Sequence, residues 1–298
     1  MSLEGIVIVD KPATWTSHDA VAKLRGIFGT RRVGHLGTLD PLATGVLPVM
    51  IGQATRLAKF WEDSEKAYDA IIHFGFSTTT YDRDGEPTSE PVETALVPSQ
   101  LEAALVAFRG QIEQVPPAVS ARKINGVPAY KLVRKNIEVN LAASQVTIFE
   151  LSLLSVEGNL ARIFVRCSPG TYIRSIAHDL GQVLGCGAHI QELRRTASGP
   201  FRIEAASTLD QLQELKGNGH LEDALLPMAD LLPMFPKVFV DDLTVRHIRQ
   251  GRDFNVSPFV VAPGTRCVKA VGSDGCLVAV GRIVIPNLYH PEVVMVDA

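Results

Sequence analysis

The chain has 298 residues, 46% of them hydrophobic and 20% charged, and a formal net charge of −3. That length allows one large domain, or one with a small companion, and no apolar run reaches the roughly 18 residues of a membrane helix. The start, Met1-Ser2-Leu3-Glu4, lacks the basic and apolar run of a signal peptide. Cys167, Cys186, Cys267 and Cys276 show no Cys-x-x-Cys spacing, so reduced, packed thiols in a cytoplasmic setting are expected rather than a metal site or disulfide framework.

Residues 5–9 form a short apolar run that reads as a buried strand ending at Asp10-Lys11-Pro12. Ser17 can cap a helix over 18–28, with Val21, Leu24 and Phe28 as its stripe and Gly29 suited to its end. Arg31 and Arg32 follow, open to phosphate or to solvent. The stretch 34–48 then places one acid, Asp40, among small and apolar residues. Gly34, Gly37 and Gly45 permit tight turns and close approach by another molecule. Pro41 pushes Asp40 off the helical backbone region. A lone carboxylate on such a loop suits a nucleophile or a general acid/base. Asp-Pro also opens ordinary turns, and spacing alone favours the turn.

Residues 45–51 read as another buried strand, with Pro48 at an edge or bulge, and 54–61 as a short helix. Over 66–74, Tyr68, Ala70, Ile72 and Phe74 share one face; on pattern alone Tyr68 is a core aromatic. The run 77–87 carries Asp82, Asp84 and Gly85 like part of a calcium loop. It lacks the bidentate Glu, so it reads as a polar turn. A helix is expected near 101–108.

Val115-Pro116-Pro117 opens a basic segment, about 117–145, with Arg122, Lys123, Lys131, Arg134 and Lys135 and a turn at Asn125-Gly126. Residues 118–203 hold eleven Lys or Arg and five Asp or Glu, a balance of +6; the remainder carries −9, since −3 minus +6 is −9. Such a segment binds phosphate or is an ordinary solvated face. Strands are expected over 145–157 and 162–167. The clearest helical pattern follows Thr171, a candidate cap, with Ile173, Ile176, Ala177, Leu180, Val183 and Leu184 on its stripe. Tyr172, Arg174 and His178 fall off that stripe, which leaves Arg174 to a cleft or a surface salt bridge. Residues 189–195 read as extended and 225–237 as a Pro-rich packed linker. A strand near Val238, a helix over 243–250, and strands near Cys267 and Cys276 joined by a Ser273-Asp274-Gly275 turn complete the chain.

The run Gly-His-Leu-Gly-Thr-Leu-Asp-Pro-Leu-Ala-Thr-Gly-Val-Leu, over 34–47, resembles the signature of the TruB family of tRNA pseudouridine synthases. Family-like segments accompany it in order: Asp10-Lys11-Pro12, Lys66-Ala67-Tyr68-Asp69-Ala70, Gln114-Val115-Pro116-Pro117, Gly170-Thr171-Tyr172-Ile173-Arg174 and Leu193-Arg194-Arg195. Together they span about the first two thirds of the chain. The resemblance implies an α+β pseudouridine synthase fold with a central, largely antiparallel sheet and a cleft across it. It implies that Asp40 is the essential carboxylate and Arg174 its charge partner, since a nearby opposite charge favours the charged form. Tyr68 would stack on the target base, with Tyr172 beside the site and Leu193 as an apolar wall. His35 would fill the space left by a flipped base; a buried, hydrogen-bonded histidine is the alternative. Lys11 and Pro12 would be structural support. The basic segment would be a mobile insertion closing over RNA, with Arg122, Lys123, Lys131 and Arg134 as contacts. The last sixty or so residues are similar to a PUA domain, a small β module of RNA-modifying enzymes.

The expected organisation is a catalytic domain over 1–234 and a PUA-like RNA-binding domain over 235–298. The expected function is isomerisation of the T-loop uridine 55 of tRNA to pseudouridine by a monomer that grips the T arm and flips the base, with no cofactor, metal or membrane. One rival is an RNA-binding or tRNA-folding protein without catalysis. Another is a glycosidase acting on a small nucleoside, although paired catalytic carboxylates are not evident.

Overall fold

The computed structural model describes residues 3–120, 122–124, 126–135 and 137–296. The first apolar run forms strand β1 (Gly5–Lys11). Successive side chains of a strand point to opposite faces: Val7 and Val9 enter one hydrophobic core, Ile6 and Ile8 a second. Helix α1 (Ser17–Phe28) follows, and its cap is Thr16, not Ser17. The Thr16 hydroxyl accepts from the Asp19 N–H while the Asp19 carboxylate accepts from the Thr16 N–H, a reciprocal box that satisfies two end groups at once. Ser17 instead turns inward and exchanges hydrogen bonds with the backbone of Leu39. Gly29 ends the helix at φ +65° as expected.

Strands β2 (Val33–His35) and β3 (Thr44–Ile51) bracket the Asp40 loop. Gly45 has φ +97°, and a Cβ there would meet the Arg195 carbonyl oxygen at 2.2 Å; only a residue without a side chain lets the two backbones meet. Pro48 is neither at an edge nor in a bulge, for its register against β1 is unbroken and places it opposite Ile8. Its carbonyl accepts from the Leu36 N–H. Its nitrogen faces that same side, so the β1 ladder loses no donor. Where a short helix is expected, the chain forms a 3-10 helix, Gly52–Trp61.

Strand β4 (Lys66–Phe74) buries Tyr68, Ala70, Ile72 and Phe74 on one face. Helix α2 (Pro98–Leu105) and strand β5 (Gly110–Gln114) lead into the basic segment. There β6 (Lys123–Ile124) and β7 (Val127–Pro128) form a small hairpin, followed by helix α3 (Ala129–Val133). Asn125, expected in the turn, lies outside the described residues. Strands β8 (Ser144–Glu157) and β9 (Leu160–Cys167) pair next. In helix α4 (Ile173–Val183) the cap position belongs to Tyr172, because the Thr171 hydroxyl donates instead to the Ser168 carbonyl. Val183, placed on the stripe by periodicity, is 61% exposed, although Leu180 and Gly181 of the same turn are buried. Strands β10 (Ala188–Ser198) and β11 (Phe201–Arg202) and helix α5 (Leu209–Asn218) complete this part.

The nine-stranded sheet runs β1-β3-β10-β4-β9-β8-β5, with β2 on β3 and β11 on β10. Among the described residues its ladders are antiparallel except β3 with β10, which pair in parallel only at Thr44–Arg194 and Gly45–Arg195. Beyond those two pairs the strands part, and the Asp40 loop crosses at their seam. After the linker come β12 (Lys237–Phe239), α6 (Asp242–Arg249), β13 (Phe254–Asn255), β14 (Cys267–Val271), β15 (Leu277–Ile285) and β16 (Leu288–Val294). The five strands form a second sheet in the order β12-β14-β15-β16-β13. Its Leu277, Val280 and Val293, with Met295 just past the end of β16, pack on Ile6, Ile8, Val46 and Met50 of the first. No helix among the described residues is long and apolar enough to cross a membrane.

Candidate active site

The Asp40 loop is held from below by two buried cations. Lys11 donates to the carbonyls of Pro12 at 2.8 Å, Trp15 at 2.6 Å and Pro41 at 3.4 Å. Burial pushes its ammonium down to about 8, while the nearby Asp40 pulls the other way. Arg195 donates to the carbonyls of Gly37 at 3.0 Å, Thr38 at 3.3 Å and Val46 at 2.7 Å. The backbone that presents Asp40 is thus fixed by side chains from β1 and β10.

Arg174 comes from the first turn of α4 and reaches the same place. Its guanidinium contacts the Asp40 carboxylate at 2.9 Å and the Asp82 carboxylate at 3.3 Å. It also donates to the carbonyls of Thr80 at 2.8 Å and Val119 at 2.9 Å. Arg174 and Asp82 are buried, whereas the Asp40 side chain is 35% exposed. Asp40 is therefore the most open of the three, and Asp82 is the one closed off from the cleft. Burial pushes the Asp82 carboxyl up, opposed by the Thr80 hydroxyl and by Arg174.

A cavity of about 540 Å³ opens above these groups, within the range of small-ligand sites. Asp40, Tyr68, Tyr172, Arg174, Leu193 and His35 all line it, so the structure gathers these expected residues from four separate stretches of chain. Tyr68 is 9% exposed, and burial holds its phenol above the usual range. The Tyr172 N–H donates to Gln114 and its carbonyl accepts from the same amide, which locks the start of α4 to the end of β5. His35 sits at the rim with its ring edge toward His18, centroids 6.0 Å apart. Burial holds its imidazole below the usual range, and its Nδ1 is buried without a partner in the structure.

Of the basic insertion, Arg122 lines the cavity. Lys123 on the hairpin, Lys131 on α3 and Arg134 just past its end are exposed and do not line it; Arg134 lies over the Tyr130 ring at 5.5 Å. Lys11 holds the loop at the Pro41 carbonyl and also binds the carbonyl of Pro12, and neither Lys11 nor Pro12 lines the cavity. Two residues here escape the sequence reading. Asp82 belongs to a turn whose Thr, Asp and Gly content announces only polarity. Its signal was the acid pattern itself, since the Thr80 hydroxyl donates to it at 2.5 Å and the Asp84 N–H at 3.2 Å. Arg195 was visible only as the end of a family-like segment.

Residues 25–173 match the family model described as TruB family pseudouridylate synthase (N terminal domain), and residues 174–233 that described as tRNA pseudouridylate synthase B C-terminal domain. A protein of Solibacter usitatus (strain Ellin6076) named tRNA pseudouridine synthase B is 58% identical over 293 residues, 98% of this chain and 100% of its own. A protein of the same name from Stutzerimonas stutzeri (strain A1501) is 41% identical over 284 residues, 94% of this chain and 92% of its own. A chain of the solved complex described as "Structure of H/ACA RNP bound to a substrate RNA containing 2'-deoxyuridine" superposes with a TM-score of 0.70 at 26% identity, covering 98% of this chain and 85% of that one.

Proposed function

We infer that this chain, which belongs to the TruB family of pseudouridylate synthases, is a tRNA pseudouridine synthase, an isomerase that converts a uridine of tRNA to pseudouridine. We take its target to be uridine 55 in the T loop, bound through the T arm by one monomer in the cytoplasm. The unpaired thiols fit a reducing compartment.

The reaction breaks the bond from N1 to C1′, turns the uracil and joins C5 to C1′. C5 loses a proton and N1 gains one; nothing is oxidised or reduced. The observation that carries the reading is the meeting of Asp40 with Arg174 at 2.9 Å in a cleft shared with Tyr68 and Leu193. Asp40 acts by attack on the sugar or base, or by moving the C2′ proton. Arg174 holds the carboxylate in place, and its own position is over-determined by Asp82 and two carbonyls. Tyr68 stacks on the uracil and moves the C5 proton. Leu193 and Tyr172 wall the base, and His35 enters the space the base leaves. Unstacking a base costs a few kcal/mol, and stacking on an aromatic returns about 1–3 kcal/mol, so the cleft sustains a flipped nucleotide. The basic insertion meets the RNA backbone, and the second sheet serves as a PUA-like RNA-binding module.

The decisive experiment is Asp40→Asn with unmodified tRNA. Expected is loss of pseudouridine formation with binding retained, because phosphate contacts dominate affinity. Formation at a near wild-type rate would remove Asp40 from the chemistry. If the unaltered protein formed no pseudouridine and Asp40→Asn left its biological role intact, the RNA-folding reading would replace this one.

A further inference from the structure

Arg195 is the largest fully buried side chain among the described residues, at 1% exposure. Burying a cation is costly unless it is paired, yet its three hydrogen-bond acceptors are neutral carbonyls, those of Gly37, Thr38 and Val46. It stands directly opposite Tyr68 in the β4–β10 ladder. Side chains so paired lie on one face with their Cβ atoms about 4.5–5.5 Å apart. Both residues line the cleft, and the positive charge of Arg195 favours the ionised Tyr68 phenol against the burial that opposes it.

We propose that Arg195 is a positioning residue for Tyr68: its guanidinium donates to the phenol oxygen and stabilises the negative charge on that oxygen when the C5 proton is moved. This rests on the reading of Tyr68 as the proton carrier. Tyr68 enters the step as phenolate, having given its proton to water. The C5–H bond breaks, its electron pair restores the C5–C6 double bond, and the proton forms the phenol O–H. N1 takes its proton from water. No co-reactant is needed.

The remaining charges around the phenol do not do this work. Asp40, on the loop, and Cys167, opposite Lys66 on β9, both raise it; Arg195 lowers it against the burial that dominates. Lys66 is occupied by the Ser64 carbonyl at 2.5 Å. Removing Arg195 therefore leaves the phenol among groups that all disfavour its ionised form. Because the same guanidinium grips Gly37 and Thr38, the oxygen that moves the proton and the loop that carries the carboxylate are set by one group.

The test places 3-fluorotyrosine at position 68 and follows its ¹⁹F resonance with pH in the Arg195, Arg195→Lys and Arg195→Gln proteins. The phenol is expected to titrate lowest with Arg195, higher with lysine and highest with glutamine. The single-turnover rate on a T-arm hairpin should move its pH profile by the same amount. A shift of one unit means about tenfold less rate at neutral pH. The more acidic fluorinated phenol should rescue part of the loss in Arg195→Gln, which a purely structural role for Arg195 would not allow. Identical titration in all folded variants, or a rate loss independent of pH, overturns the proposal. If neither variant folds, the Arg195 guanidinium proton signals in wild-type protein decide: they must shift as residue 68 ionises, and signals that stay fixed overturn it. The underlying reading fails separately, by Tyr68→Phe turning over within a few-fold of wild type.

Discussion

A single guanidinium, Arg174, sits where two carboxylates and two carbonyls converge, and the residue roles follow from how unequal those partners are. Asp82 is buried and cannot meet the substrate; Asp40 is open to it. Asp82→Asn should therefore leave tRNA affinity within a few-fold while the single-turnover rate falls by about 10–100-fold, since small misplacements of a reacting group are costly. A large affinity loss with an unchanged rate would show that Asp82 only holds the turn. Tyr68→Phe keeps the ring and removes the hydroxyl. If the phenol moves the C5 proton, single-turnover rates on a T-arm hairpin should fall by about 10²–10⁴-fold; near-normal turnover with loss only in Tyr68→Leu would reduce Tyr68 to a stacking platform. The place of Asp40 in the cleft was legible because it lies in a long, ungapped run of distinctive residues, and those of Tyr68 and Arg174 because short segments resembling the same family follow it in order. Asp82 and Arg195 were not. Their meaning lies in partners about ninety and one hundred and fifty residues away in sequence, and no local pattern reports such pairs.

At the scale of elements, alternation was a reliable guide wherever one face of a strand is buried, as in β4 and β9. It failed where an end, not a face, was in question. Thr16 and Ser17 are equally good caps by type, and the choice fell to Thr16 because Leu39 takes the Ser17 hydroxyl. Thr171 lost its cap to a hydrogen bond with Ser168 in the same way. The short strands β13 and β16 went unread, for a two-residue bridge has no period and Pro291 interrupts the other. The basic hairpin, α3 and the residue just past it carry Lys123, Lys131 and Arg134 in the open, with Arg122 at the cleft. Replacing all four with neutral residues should weaken tRNA binding and flatten its dependence on salt, by up to about four counterions in the slope. A titration of Kd against salt checks this, and an unchanged slope would make the charges a solvated face.

For the whole molecule, the join between the two sheets is both apolar and charged. Lys59 from the 3-10 helix and Arg282 from β15 meet on Glu292 of β16. The hydrogen bond from Arg282, then that from Lys59, draw the Glu292 carboxyl from 4.5 to about 2, against the effect of burial. A carboxyl lowered in the folded state stabilises it fully above its ordinary value and loses that contribution as pH falls from about 4.5 towards 2. The groups are largely solvated, so the effect is on the order of 1 kcal/mol or less. Wild type and Glu292→Gln should differ in denaturation midpoint at pH 6 and converge by about pH 2; a constant gap would mean the charge is irrelevant to the join. The placing of β10 reaches further, into how the protein is made. This strand enters the sheet between β3 and β4, although the chain runs from Phe74 to Ala188 before supplying it. A nascent chain whose β10 is still inside the ribosome has synthesised Asp40, Tyr68 and Arg174 but holds an open seam where Leu193 and Arg195 belong. At about 5–20 residues per second, several seconds pass in which every acidic and aromatic group of the site exists and none is in place. A product of premature termination before Ala188 therefore lacks the assembled cleft and cannot turn over tRNA, and its unpaired edges of β3 and β4 make it a client for chaperones and proteases.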